Sequence, residues 1–125
     1  DAVLAETTAL WSELDMAIVG VGVSIAKSPL LHSPYFTSHH LVELERQGIK
    51  GDMCSRFFDA EGQLCDWDIN DRLIAITLEQ IRQCPLVVAI AGGGSKFSAI
   101  QAALKGGYID ILVTDSITAE RLCSI

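Results

Sequence analysis

The stretch of this 125-residue chain with the most chemical promise runs from Ala89 to Leu104, AIAGGGSKFSAIQAAL. An apolar run enters three glycines, Gly92, Gly93 and Gly94, and a helix begins near Lys96. Glycine lets the backbone come close to a ligand. The free N–H groups at a helix start, with the helix dipole behind them, favour an anion. A lysine in the first turn opposes that dipole, and a phosphate bound there would account for it. The alternative is a plain strand-to-helix turn with a solvated lysine. The stretch is not a nucleotide P-loop: Ser95, not glycine, precedes Lys96, and Phe97, not Ser or Thr, follows it.

Other candidates are weaker. Gly20-Val21-Gly22 closes an apolar run, but a dinucleotide fingerprint would need a third glycine at position 25, which is Ile25. Asp52 follows Gly51; it could accept hydrogen bonds from a sugar hydroxyl or organise its own turn. Asp52 and Cys54 share one face of an extended segment, a metal-like fragment only if a histidine joined them. His39 and His40 are adjacent on a helix and point apart, so they form no metal pair. Arg56, Asp59, Asn70, Asp71 and Arg72 form a polar cluster around a hairpin, where charges are mostly solvated. No serine-hydrolase or zinc-hydrolase motif occurs, so the residues assign no catalytic group, metal or cofactor.

The elements that must position these groups follow from pattern and punctuation. Residues 1–13 suit a helix with Leu4, Leu10 and Trp11 on one face. Asp15–Gly22 reads as a buried strand and residues 23–36 as a loop. Thr37 or Ser38 caps a helix to about Gln47, and Gly48 stops it. Gly51–Asp59 is extended, Asp59–Gly62 turns, and Gln63–Asp66 returns as a hairpin. Arg72–Ile76 reads as a strand, Thr77 caps a short helix, and Leu86–Ala91 is a buried strand. The helix after Lys96 turns Phe97, Ile100 and Leu104 inward, and Gly106-Gly107 stop it. Ile109–Val113 is the last strand, and Asp115 or Ser116 caps a final helix. Strands alternating with helices predict an open, mainly parallel α/β sheet, which binds ligands at the C-terminal ends of its strands.

Composition narrows the function classes. Half the residues are hydrophobic and a fifth are charged, as in one globular domain. Sixteen acids against nine bases leave a net charge of −7, unsuited to clamping a nucleic-acid backbone. Residues 37–47 could pass for half of a helix-turn-helix, but only Arg46 and nearby Lys50 are basic. No run suits a membrane span and no secretory leader is visible. Cys54, Cys65, Cys84 and Cys123 are scattered without C-x-x-C spacing and read as reduced thiols of a cytoplasmic protein.

From Asp15 to about Leu122 the chain resembles the C-terminal effector-binding domain of SorC/DeoR-type sugar-responsive bacterial transcription regulators. The blocks that carry the resemblance are DMAIVGVG, Ser33 to Thr37, GDMCSRFFDAEG, INDRLIAITLEQIR, VVAIAGGGSKFSAIQAALKGGYIDILVTD and TAERL. The resemblance implies a Rossmann-like fold shared with sugar-phosphate isomerases and glucosamine-phosphate deaminases, and a phosphorylated sugar as effector. It places Lys96 at the ligand beside Gly92, Gly93 and Gly94. It places Asp52 at ligand hydroxyls with Met53 and Cys54 beside it, Gly20 and Gly22 on the wall, and Asp115 at the end of the last strand. Family members also carry a helix-turn-helix and a first half of the effector domain. Residues 1–125 therefore read as part of such a domain, with DNA contacted only through a domain outside it, no membrane partner, and self-association into homo-oligomers. The competing expectations are an isomerase or deaminase on the same fold, which needs an acid and a base where only Asp52 offers itself, and a fragment that binds nothing.

Overall fold

The computed structural model describes residues 1–23 and 28–125. Residues 24–27, which include Ile25 and part of the first expected loop, lie outside the described residues. The elements in chain order are α1 (Ala2–Leu10), β1 (Ala17–Val19), α2 (Ser38–Arg46), β2 (Gly51–Met53), β3 (Arg56–Phe58), α3 (Leu78–Gln83), β4 (Val87–Ile90), α4 (Phe97–Lys105), β5 (Ile111–Val113) and α5 (Ser116–Cys123). Helix starts follow the expected caps. Thr37, Thr77 and Asp115 each accept the backbone N–H three residues on, and Thr37 and Thr77 complete capping boxes.

The expected α/β architecture is present. Three strands form a parallel sheet in the order β1-β4-β5, with Ile18 beside Val88 and Val88 beside Ile111. Alternation divides its faces. Ala17, Val19, Val87, Ala89 and Leu112 turn toward a core built with Leu78 and Ile81 of α3 and Ala99, Ile100, Ala102 and Ala103 of α4. The opposite face carries Ile18 (66% exposed), Ile90 (57%), Ile111 and Val113, also exposed. Parallel sheets are ordinarily covered on both faces, and among the described residues this one is covered on one. Helix α1 forms as expected, yet no residue of it is buried.

Three expectations need correction. The inner face of α4 is Ala99, Ile100, Ala102 and Ala103, while Phe97 is only half-buried and Leu104 is exposed. Small residues are selected there because β2 comes close: a Cβ on Gly51 would lie 2.6 Å from the Ala99 Cβ. The hairpin turns earlier than expected. β2 and β3 pair antiparallel around Cys54-Ser55, and the Asp59–Gly62 turn adds only a single bridge, Phe58 with Leu64. Finally, Arg72–Ile76 is not a strand; Asp68–Arg72 is a 3-10 turn and the chain beyond it is irregular.

Arg56 supplies the reason. It is 6% exposed, and its guanidinium donates to the carbonyls of Asn70 (2.7 Å), Ala75 (2.9 Å) and Ile76 (3.3 Å). Those acceptors are occupied by a side chain, so the segment needs no neighbouring strand. β3 is buried throughout. Phe58 enters the main core, and Phe57 enters a second cluster with Leu44, Cys65 and Trp67. Arg56 and Asp59 therefore leave the list of ligand candidates. Asp59 organises its turn by accepting from the amides of Glu61 and Gln63.

Replacing Arg56 with methionine keeps much of the volume and strands three carbonyls. The expected loss is about 2–4 kcal/mol in urea denaturation; a loss under 0.5 kcal/mol would show that the 70–76 segment is held by something else.

Candidate functional site

Lys96 ends the 3-10 turn Gly94–Lys96 and caps α4. The turn starts abruptly because Gly93 sits at φ 96°, open to glycine at little cost. The amides of Gly94 and Ser95 begin the turn and have no backbone acceptor among the described residues. Lys96 is half-buried, and among the described residues its ammonium makes no ion pair or hydrogen bond. A half-buried cation above free amides is a site that favours an anion.

Two cavities meet at this lysine. One, about 310 Å³, is lined by Gly22, Val23, Pro29, Asp52, Ser55 and Lys96 among others. The second, about 360 Å³ and more open, is lined by Gly92, Lys96, Thr114 and Asp115 and by apolar strand ends. The first lies past the C-terminal end of β1 and the second past those of β4 and β5, the side of a parallel sheet where ligands bind.

Asp52 is held over the end of β1. Gly22 N–H donates to Asp52 O at 2.8 Å, and Asp52 N–H returns to Gly22 O at 3.3 Å. A Cβ on Gly22 would fall 1.9 Å from Asp52 Oδ1, so the carboxyl lies directly across the glycine. Burial pushes the Asp52 carboxyl above its ordinary pKa, against the Ser55 amide and the Lys96 charge, which pull it down. A half-buried carboxylate with few donors around it is ready to accept hydrogen bonds from ligand hydroxyls.

Asp115 does different work. Its Oδ2 accepts from Gly93 N–H (2.7 Å) and from the Thr118 hydroxyl (2.7 Å), and its Oδ1 accepts from Thr118 N–H (2.9 Å). These bonds hold its pKa down at about 2. The side chain caps α5 and fastens the glycine turn to it, and a Cβ on Gly92 would meet Asp115 Oδ2 at 2.7 Å. Nearby, the buried Thr114 Oγ1 has no partner among the described residues.

Of the residues singled out from sequence, Asp52, Gly22 and Lys96 line the first cavity, and Gly92 and Asp115 join Lys96 in the second. Gly93 and Gly94 shape the turn and are exposed. Gly20 and Cys54 are exposed and line neither cavity. Sequence reasoning missed Ser55 because the hairpin tip carries no glycine to mark it. Thr114 lines the second cavity with Asp115, at the strand end where the parallel-sheet rule expects a ligand. His40 serves the fold: its ring meets Thr37 at the start of α2 and ties α2 to the 68–72 turn, with Nε2 2.8 Å from Asp68 Oδ1. Among the described residues no three metal-ligating side chains gather, and no helix is long and apolar enough to cross a membrane.

Asp115 sets an acid limit. Its folded pKa lies below the ordinary value of about 3.9, so its contribution is present above about pH 4 and is lost as pH falls toward 2. Melts between pH 5 and 2.5 should steepen in that window, and Asp115→Asn should flatten the slope; equal slopes would remove the clamp from Asp115.

Comparison with known proteins bears on the family and the fold. Residues 1–124 match the Sugar-bind family of sugar-binding domains. The deoxyribonucleoside regulator of Bacillus subtilis is 37% identical over 110 residues, covering 88% of this chain and 35% of the relative. The crystal structure of the full-length sorbitol operon regulator SorC from Klebsiella pneumoniae superimposes with a TM-score of 0.86 at 33% identity, covering 98% of this chain and 39% of that one. A DeoR family transcriptional regulator from Listeria monocytogenes gives a TM-score of 0.86 at 36% identity, covering 96% of this chain and 49% of that one. The chain thus spans between a third and a half of these relatives. Matched along its length in sequence and in fold, it belongs to the family of sugar-binding domains of SorC- and DeoR-type transcriptional regulators.

Proposed function

We propose that this chain forms the effector-sensing part of a sugar-responsive transcription regulator and that its effector is a phosphorylated sugar. The observation that carries the reading is the Lys96 ammonium, which has no partner among the described residues, belongs to the turn whose Gly94 and Ser95 amides lack a backbone acceptor there, and lines a cavity walled by half-buried Asp52. The phosphate lies against Lys96 and the Gly94 and Ser95 amides, where charge and dipole act together. The sugar occupies the 310 Å³ cavity and donates hydroxyl protons to Asp52. DNA is contacted by a domain outside this chain, in keeping with the net charge of −7. Four free thiols suit a cytoplasmic protein. The bare apolar sheet face supports assembly with further polypeptide or with other copies.

The reading is of binding without turnover. Isomerase or deaminase chemistry needs an acid and a base around one substrate. Of the two carboxylates on the cavity walls, Asp115 has its oxygens engaged and stays ionised well below neutral pH. That leaves Asp52 alone.

A thermal-shift panel of phosphorylated sugars, their unphosphorylated parents and free phosphate tests the reading. A ligand at 100 times its dissociation constant adds about 2.7 kcal/mol. The expected result is an upward shift with a phosphorylated sugar and none with its parent. Lys96→Ala should abolish most of that shift while changing unliganded stability by no more than about 0.5 kcal/mol. Undiminished binding by this variant would refute the anion site. Asp52→Asn should raise the unliganded melting temperature at pH 7. Burial raises the Asp52 pKa, so its ionised form weighs on the fold as pH climbs through that value. The same variant should reorder preference across a sugar panel; an unchanged order would remove Asp52 from sugar recognition.

A further inference from the structure

The tip of the hairpin holds two residues in a conformation that side chains disfavour. Cys54 has φ 51° and Ser55 has φ 63°. Two-residue hairpin loops of this shape ordinarily use Asn-Gly, Asp-Gly or Gly-Gly. A non-glycine residue there strains the backbone, and such strain persists where the side chain serves a purpose. The local hydrogen bond does not supply that purpose at position 55. Ser55 N–H donates to Asp52 Oδ2 at 3.3 Å, and a glycine would donate equally well.

The side chains differ in surroundings. Cys54 is exposed and outside the cavity. Ser55 is half-buried and lines the 310 Å³ cavity beside Asp52 and Lys96. Among the described residues its hydroxyl has no hydrogen-bond partner. An ionised Asp52 only accepts and Lys96 only donates, whereas a serine hydroxyl does both, as a sugar hydroxyl does. The backbone bond to Asp52 fixes this neutral group next to the carboxylate.

We propose that Ser55 is a specificity-determining residue: its hydroxyl pairs with a sugar hydroxyl next to the one held by Asp52 and selects hydroxylated sugar phosphates over deoxy analogues. The inference rests on the reading of this cavity as the sugar site. A site built to pair with a hydroxyl discriminates strongly against a ligand lacking it, because its own polar group is then left unpaired.

The test uses Ser55→Gly and Ser55→Ala, with calorimetric titration of ribose 5-phosphate, glucose 6-phosphate and fructose 6-phosphate, each beside its deoxy counterparts. In the wild type at least one hydroxylated sugar should bind better than its deoxy partner. In both variants that preference should shrink about tenfold, the loss of one hydrogen bond of about 1.4 kcal/mol. Ser55→Gly alone should also melt higher without ligand, because glycine relieves the positive φ. Undiminished preference in both variants would overturn the role of Ser55 and leave the sugar site standing. So would a wild type that binds a phosphorylated sugar without preference in any pair. A wild type that binds no phosphorylated sugar at all would overturn the sugar site, and the role of Ser55 with it.

Discussion

One antiparallel bridge, Gly22 with Asp52, joins the hairpin to the end of the sheet, and the candidate site exists because of it. The bridge requires two backbones to pass without side chains between them. Gly22 leaves room for the Asp52 carboxyl, and Gly51 leaves room for Ala99 of α4. With those two approaches made, a carboxylate from the hairpin and a lysine from the start of α4 wall one cavity. Neither element reaches the other through sequence proximity, since forty-four positions separate Asp52 from Lys96.

The same aspartate chemistry is used in opposite ways at this rim. Asp115 accepts three hydrogen bonds and is held ionised, which makes it a fastener for the glycine turn and the start of α5. Asp52 is partly removed from water, with the Ser55 amide and the Lys96 charge only partly offsetting that cost among the described residues, and its pKa rises. A saturated carboxylate holds protein to protein, whereas an under-served one is available to a ligand. Lys96 stands between them with its own hydrogen bonds unmade among the described residues.

Burial is similarly uneven. The inner sheet face, α3, α4 and the hairpin form the main core, and Arg56 stitches the irregular 70–76 segment onto it through carbonyls rather than through a strand ladder. The outer sheet face and α1 present aliphatic side chains to solvent. Solved relatives are two to two-and-a-half times as long as this chain and share its fold over the matched part. An apolar sheet face of this kind is a surface that further polypeptide would cover.

Local signals in the sequence determined most of the elements: the caps at Thr37, Thr77 and Asp115, the apolar strands ending in glycine or polar turns, and the Gly92–Lys96 turn that opens α4. Each depends on neighbours a few residues away, so periodicity and turn chemistry suffice to see it. The tertiary structure alone decided the rest. It decided that Arg56 is buried, because its acceptors lie 14 to 20 residues downstream. It decided that the main hairpin turns at Cys54-Ser55, because β2 and β3 find their register by burying Met53, Phe57 and Phe58, while the turn at Gly62 adds only a short return. It decided that alanines rather than Phe97 and Leu104 form the inner face of α4, because the hairpin presses against it. And it placed Ser55 beside Asp52 and Lys96, since a cavity wall is assembled from segments that meet only when the chain is folded.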